Sequence, residues 1–79
     1  MPPKTLQELR YDLAANLKAL RKSAGIAQER LALDAGVDRT VVSKIERGVT
    51  NPSLEILLRL ANQLNVPVGQ LLLPPVEAL

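Results

Sequence analysis

The feature that most constrains this chain is a pair of short helical patterns separated by one tight turn. Residues 28–51 read QERLALDAGVDRTVVSKIERGVTN, and the two patterns meet at Gly36 and Val37. Gly48 closes the second pattern, because the residue after a helix often takes a left-handed backbone that glycine reaches without steric cost. Each pattern is too short to form a stable helix alone, so the two must pack together. This layout is typical of a helix-turn-helix unit.

The composition leaves apolar packing as the main source of stability. The chain has 79 residues with no cysteine and no histidine, so it offers no disulfide, no thiolate or imidazole metal ligand and no general base tuned to neutral pH. No paired carboxylates or activated lysine or serine are visible in the pattern. We therefore expect no catalytic activity, no metal, no cofactor and no small-molecule ligand.

Length and apolar patterning favour one small domain in the cytoplasm. A chain of 79 residues buries too little surface for two cores, so we expect one domain at residues 5–73 between short tails at 1–4 and 74–79. No segment approaches the roughly 18 consecutive apolar residues of a membrane span, and the N-terminal segment lacks the apolar region of a secretion signal. The net charge of +2 is by itself a weak indication of an anionic partner.

Apolar periodicity and helix-end residues predict five helices and no strand. Thr5 and Glu8 form a capping-box pattern at the start of the first helix, Asp38 is a good N-cap for the third, and Pro52 and Ser53 open the fourth. The predicted helices cover approximately residues 6–23, 28–35, 39–47, 54–64 and 68–73. The predicted inner stripe of the fourth helix is Leu54, Leu57, Leu58, Ala61 and Leu64. We therefore expect an all-α, compact five-helix fold.

The third predicted helix has one polar, cationic face and one apolar face. A rotation of about 100° per residue places five polar residues within one arc of about 140°. They are Arg39, Thr40, Ser43, Lys44 and Arg47. The opposite side carries Val41, Val42 and Ile45. An arginine fork matches guanine O6 and N7, threonine suits a thymine methyl or a phosphate, and serine and lysine reach base edges or the backbone. The polar face therefore suits duplex DNA, although an ordinary solvated helix has the same pattern.

A set of spaced residues resembles a known family over about residues 6–73. The set is Leu20, Arg21, Gly25, Gln28, Leu31, Ala32, Gly36, Val37, Ile45, Glu46, Gly48, Pro52 and Leu54. It resembles the lambda-repressor-like helix-turn-helix domains of the Cro and CI type. Residues 38–40, followed by Ser43 and by residues 45–47, further resemble the controller proteins of bacterial restriction-modification systems. The resemblance implies a five-helix fold, insertion of the third helix into the major groove of double-stranded DNA, and homodimers on inverted-repeat operators.

The resemblance also implies residue roles. Base contacts are expected from Arg39, Thr40, Ser43 and Lys44. Phosphate contacts are expected from Gln28, Arg47, Thr50, Asn51 and Ser53. Arg21 and Glu46 are expected to form a structural ion pair that joins the first and third helices, with two independent surface charges as the alternative. The chain departs from the family at Ala27, where a Ser or Thr N-cap is usual, so the second helix lacks a side-chain cap.

Apolar residues crowd the C-terminal third and predict a dimer interface there. The expected interface residues are Val66, Pro67, Val68, Leu72 and Leu73. The alternative is that Leu71 and Leu72 close the core of the monomer and that the tail is frayed.

The leading functional interpretation is a dimeric transcription regulator, with control of a restriction-modification operon as one role. The other interpretations are a prophage-type repressor and an antitoxin-like protein whose main partner is another protein, for which residues 74–79 form only a short tail.

Overall fold

The computed structural model describes residues 3–75, and within them it contains four α-helices, one 3-10 helix and no strand. The α-helices are α1 (Leu6–Ser23), α2 (Gln28–Ala35), α3 (Arg39–Glu46) and α4 (Leu54–Gln63), and the 3-10 helix is Val68–Leu72. The all-α prediction is confirmed. No helix within residues 3–75 is long and apolar enough to cross a membrane. The outer parts of the two predicted tails, residues 1–2 and 76–79, lie outside the described residues.

The predicted fifth helix is a short 3-10 helix, which corrects the five-helix expectation. It spans five residues, Val68–Leu72, and the amide of Gln70 donates to the carbonyl of Pro67 at 3.0 Å. An i→i+3 bond of this kind is the usual solution where a segment is too short for α-helical nucleation. Pro67 on one side and Pro74 on the other leave no room to lengthen it.

Side chains cap three of the four α-helices. The Thr5 hydroxyl accepts from the amide of Glu8, and the Glu8 carboxylate accepts from the amide of Thr5, both at 3.1 Å, which confirms the predicted capping box. The Ser53 hydroxyl accepts from the amide of Ile56 at 3.1 Å at the start of α4. Ala27 provides no side-chain cap for α2, as the sequence predicts.

The core lies where α1, α2, α3, α4 and the 3-10 helix meet. Its buried residues are Leu13, Leu17, Leu31, Ala32, Ala35, Val42, Ile45, Leu57, Leu60, Ala61 and Leu71. The predicted inner stripe of α4 is wrong in part, because Leu54 and Leu58 are 78% and 48% exposed, whereas Leu60 is fully buried. The α4 helix packs on α2 and on the 3-10 helix through the side that carries residues 57, 60 and 61, so the residues at 54 and 58 face outward.

The turn between α2 and α3 is held by backbone hydrogen bonds and by α4. Gly36 has φ +70°, and the amide of Val37 donates to the carbonyl of Ala32 at 3.0 Å. Arg59 of α4 donates from Nη1 to the carbonyl of Gly36 at 3.3 Å. Ala32 and Ala35 are buried on the inner face of α2, and small side chains there allow α2 and α3 to approach closely. These contacts fix the angle at which α3 leaves the body.

The N-terminal half of α1 packs against the turn that follows α3. A Cβ atom added to Gly48 would lie 3.2 Å from Cδ1 of Tyr11. Gln7 donates from Nε2 to the carbonyl of Gly48 at 3.3 Å. Gly48 therefore meets two requirements, a left-handed backbone with φ +70° and close contact with α1.

Replacement of Gly48 by alanine should lower the free energy of unfolding more than the same replacement of a glycine that has the same backbone conformation but no close neighbour. Gly25→Ala is the matched control, because Gly25 also has φ +70° and nothing lies within 4 Å of an added Cβ. Backbone strain should cost each variant about 1 kcal/mol, and contact with Tyr11 should cost Gly48→Ala about 1 kcal/mol more. Urea denaturation measures both values. Equal losses, or a difference that persists in a Tyr11→Ala background, would contradict this packing.

Candidate nucleic-acid interface

The face of α3 opposite the core is exposed and cationic. Arg39, Thr40 and Lys44 are exposed, whereas Ser43 is half-buried. Arg47, which caps the C-terminus of α3, is exposed and donates only a long bond of 3.4 Å to a backbone carbonyl. The exposed residues on and beside α3 are thus three cations and a threonine, and Ser43 is the least exposed of the predicted base-contact residues.

The first turn of α3 is fixed by Asp38. Its carboxylate accepts from the amide of Thr40 at 2.8 Å and from the hydroxyl of the same residue at 2.7 Å. The backbone hydrogen bond first, and then the hydroxyl bond, lower the pKa of Asp38 below its usual value. Because the hydroxyl is engaged, the methyl group is the part of Thr40 that remains for a thymine contact.

The segment between α3 and α4 forms the second wall of the interface. Thr50, Asn51, Pro52 and Ser53 line one concave surface together with residues of α3 and α4. The other lining residues are Thr40, Val41, Lys44 and Ile56. The structure therefore brings two predicted base-contact residues and three predicted phosphate-contact residues to one concave surface. We refer to residues 49–53 as the backbone loop, because they include three residues predicted to contact the DNA backbone.

The side chain of Gln28 is part of an internal network. Its Nε2 donates to Oε1 of Glu46 at 3.1 Å, and the residue is half-buried. A phosphate at the N-terminus of α2 would therefore meet chiefly the backbone amides of its first turn. Ala27 supplies no side-chain acceptor to these amides, and a helix N-terminus with free amides suits an anion.

Arg21 and Glu46 join α1 to α3 as a nearly buried, two-pronged ion pair. Arg21 donates from Nε to Oε2 at 2.7 Å and from Nη2 to Oε1 at 3.0 Å. The side chains are 11% and 2% exposed. Arg21 also donates from Nη1 to the carbonyl of Ile26 at 2.8 Å. Together with Gln28, the pair connects α1, the loop before α2, α2 and α3.

The pair shifts both pKa values toward the charged forms. Burial by itself would raise the pKa of Glu46, but hydrogen bonds from Arg21 and Gln28 and the positive charge of Arg21 outweigh burial, so this pKa lies below its usual value. The hydrogen bond to Glu46 raises the pKa of Arg21. Both groups are therefore charged at neutral pH, and the structural role expected of the pair is open to a direct test.

Ion pairing divides the cations of residues 3–75 into two groups. The paired cations are Lys4, Arg21, Arg30 and Arg59, whose partners are Asp12, Glu46, Asp34 and Glu55. The cations that form no ion pair within the described residues are Arg10, Lys18 and Lys22 on α1 and Arg39, Lys44 and Arg47 on and beside α3. The modest net charge therefore conceals a local excess of positive charge on and beside α3. A surface of this kind raises the local concentration of a polyanion.

Sequence reasoning missed two residues of α1 that contact the interface. Arg10 donates from Nε to Oδ1 of Asn51 at 2.7 Å, and Gln7 accepts from Arg10 at 3.1 Å. Arg10 and Asn51 are 41 positions apart in the chain. Helical periodicity reports only which residues share a face of one helix, so no local signal could have found this contact.

Two short helices joined by a tight turn, with the second helix exposed on its outer face, have the geometry of the helix-turn-helix class of DNA-binding proteins. The helix-turn-helix family known as HTH_3 matches residues 17–71. The chain belongs to this family.

Individual relatives are transcription regulators and controller proteins. A hypothetical transcription factor from Neisseria meningitidis is 45% identical over 73 residues, which is 92% of this chain and 69% of the relative. The regulator SutR from Escherichia coli is 34% identical over 73 residues, which is 92% of this chain but only 41% of SutR. Control protein C.SmaI from Serratia marcescens is 35% identical over 65 residues, which is 82% of this chain and 77% of C.SmaI.

A solved controller protein shares the fold. The structure of the restriction-modification controller protein C.AhdI from Aeromonas hydrophila superimposes with a TM-score of 0.75 and 37% identity. The match covers 78% of this chain and 94% of that chain.

Removal of one partner of the buried ion pair should destabilise the fold. Glu46→Gln leaves Arg21 without a counter-charge, so the free energy of unfolding at pH 7 should fall by about 3 kcal/mol, which corresponds to roughly 15 °C in Tm. Glu55→Gln is the matched control, because it breaks the exposed pair with Arg59 and should cost at most about 0.5 kcal/mol. Thermal melts followed by circular dichroism measure both. Equal Tm values for Glu46→Gln and the parent would rule out a structural role for the pair.

The loss of stability caused by Glu46→Gln should depend on pH. Because the pKa of Glu46 in the folded protein lies below its ordinary value of 4.5, the stability that it contributes is fully present above about pH 4.5 and is lost as the pH falls through the folded-state pKa. The difference in unfolding free energy between the parent and Glu46→Gln should therefore shrink in acid. A difference that stays constant from neutral pH down to about pH 3 would contradict this assignment.

Proposed function

We propose that the protein is a sequence-specific regulator of transcription that binds double-stranded DNA as a homodimer on an inverted-repeat operator. The observation that carries the proposal is the exposed face of α3, where Arg39 and Lys44 have no ion-pair partner within residues 3–75 and where Lys44 lies beside the backbone loop. A single α-helix fits the major groove of B-form DNA. Membership of the helix-turn-helix family supports the same docking.

The interface residues take two roles in this proposal. Arg39, Thr40, Ser43 and Lys44 contact base edges, and the guanidinium of Arg39 contacts a guanine from the first turn of α3. Phosphates on one side of the groove contact the amides at Gln28. Phosphates on the other side contact Arg47, Thr50, Asn51 and Ser53. Ser53 caps α4 through its oxygen, so its hydroxyl hydrogen remains available to a phosphate.

A homodimer is proposed because one recognition helix reads only half of a symmetric operator. Two-fold dimers place their recognition helices about 34 to 36 Å apart, which is one turn of DNA. The sequence placed the contact at Val66, Pro67, Val68, Leu72 and Leu73. Pro67 and Leu73 are exposed, but Val66, Val68 and Leu72 are half-buried and pack against the monomer core. Leu54 and Leu58 add exposed apolar surface on α4. The proposed interface therefore combines the C-terminal segment with the outer face of α4.

We propose control of a restriction-modification operon as the regulatory role. The likeness to C.AhdI, which is a restriction-modification controller protein by name, and to the control protein C.SmaI supports it. No enzymatic activity is proposed. The test is selection of fragments that the protein binds from the DNA around its own gene. Inverted repeats in the promoter of a neighbouring restriction or methylation gene support the role, and sites only at unrelated promoters contradict it.

Binding of the operator should be strongly salt dependent. The logarithm of affinity should fall with the logarithm of salt concentration with a slope of roughly 0.9 for each phosphate contacted. An affinity that does not change with salt would contradict the proposed phosphate contacts.

Arg39 should contact a base and so contribute to sequence preference. Arg39→Ala should cost about 1 to 3 kcal/mol of binding free energy on the selected operator and relax the preference at one or two base pairs. Arg30→Ala is the control, because Arg30 lies on α2 and pairs with Asp34 at 3.1 Å. Titration of labelled operator variants measures both, and a loss for Arg39→Ala that is equal on every sequence would make Arg39 a phosphate contact.

A negative charge on the outer face of α4 or in the C-terminal segment should weaken the dimer. Leu54→Glu and Leu73→Glu replace exposed side chains, so the monomer should stay folded while its dimer weakens by more than tenfold, since each places a charge in an apolar contact. Leu33→Glu is the control, because Leu33 is 70% exposed on α2, away from the proposed interface. Sedimentation measures the association. If all three variants sediment like the parent and bind the operator with unchanged cooperativity, the dimer forms elsewhere.

A further inference from the structure

Arg10 of α1 is a fixed cation with no carboxylate partner within residues 3–75. Its Nε donates to Oδ1 of Asn51 at 2.7 Å, and its Nη1 donates to Oε1 of Gln7 at 3.1 Å. Gln7 in turn donates to the carbonyl of Gly48 at 3.3 Å. The guanidinium is thus held by neutral groups, which orient it without neutralising its charge. Nη2 forms no hydrogen bond with any described residue.

The contact also orients the side chain of Asn51. A guanidinium carries only donors, so the atom of Asn51 that faces Arg10 must be the amide oxygen. The amide nitrogen of Asn51 remains, and it forms no hydrogen bond within residues 3–75. Arg10 and Asn51 therefore present unused N–H donors from two neighbouring side chains, an arrangement that suits an anionic oxygen.

The position of Arg10 relative to α3 indicates which anion would reach it. Asn51 and Pro52 line the concave surface that contains Lys44, and they also line a groove that contains Arg10. Arg10 and Lys44 therefore each lie beside the backbone loop, in two concave surfaces that share it. A DNA strand that follows this loop beside α3 would pass close to both cations.

We propose that Arg10, oriented by Asn51, binds a phosphate of the operator backbone and so adds a contact from α1 to the DNA interface. This inference rests on the proposed DNA-binding function. The contact is independent of base sequence, because a phosphate carries no sequence information. Arg10 also positions Asn51 and, through Gln7, the turn at Gly48, so the phosphate contact and the loop geometry depend on each other.

The test is the salt dependence of operator binding by charge variants. Arg10→Gln should lower affinity about tenfold at moderate salt and reduce the slope of log affinity against log salt by about 0.9. Arg10→Lys retains the charge but not the planar fork, so it should keep the slope of the parent and lose affinity only a few-fold. Arg30→Gln is the matched control for loss of one positive charge, and its slope should equal that of the parent because Asp34 already neutralises Arg30.

The outcomes separate this inference from the function on which it rests. If the parent binds no duplex in a salt-dependent manner, the proposed function fails. If the parent binds as proposed but Arg10→Gln keeps its slope while affinity falls, Arg10 only positions the loop and the phosphate contact is wrong. A slope that falls equally in Arg30→Gln would show a general charge effect and would also overturn the contact. Thermal melts of the variants verify that each is folded.

Discussion

The ion pair between Arg21 and Glu46 is the interaction on which the rest of the structure depends. The rest of the fold must hold α3 in a fixed orientation, because α2 and α3 are too short to be stable alone. The pair joins α1 to α3 across 25 positions of the chain, and Gln28 adds the N-terminus of α2 to the same carboxylate. Because this carboxylate is nearly buried, loss of either partner would strand a charge. The geometry of the DNA-binding face is therefore tied to the stability of the fold.

Hydrogen bonding and ion pairing also determine where positive charge is available. Several cations outside the interface are paired with nearby carboxylates, as Arg30 is with Asp34 and Arg59 with Glu55. Those on α3 are not paired within residues 3–75, and the N-terminus of α2 lacks a side-chain cap. A net charge of +2 thus corresponds to a locally cationic surface, which steers and orients a polyanion better than the same charge spread evenly.

The sequence predicted the local features well and the long-range contacts poorly. The bounds of α1 and α2 are confirmed, because Thr5, Gly25 and Gly36 mark their ends by local backbone rules. The contact between Arg10 and Asn51 was missed because nothing in the neighbouring sequence encodes it. Leu54 and Leu58 were assigned to the core because periodicity identifies an apolar face but not which part of a wide one is covered. The family resemblance supplied the ion pair, and the structure supplied its geometry.

The most direct test of the central claim, that α3 reads DNA from the major groove, is methylation interference on a selected operator. Dimethyl sulfate methylates guanine at N7, which lies in the major groove, and adenine at N3, which lies in the minor groove. We expect methylation of one or two guanines in each half-site to abolish binding, with the two half-sites about one DNA turn apart. Adenine methylation at the same half-sites should have little effect. Interference by adenine methylation alone would place the protein in the minor groove and would contradict the account.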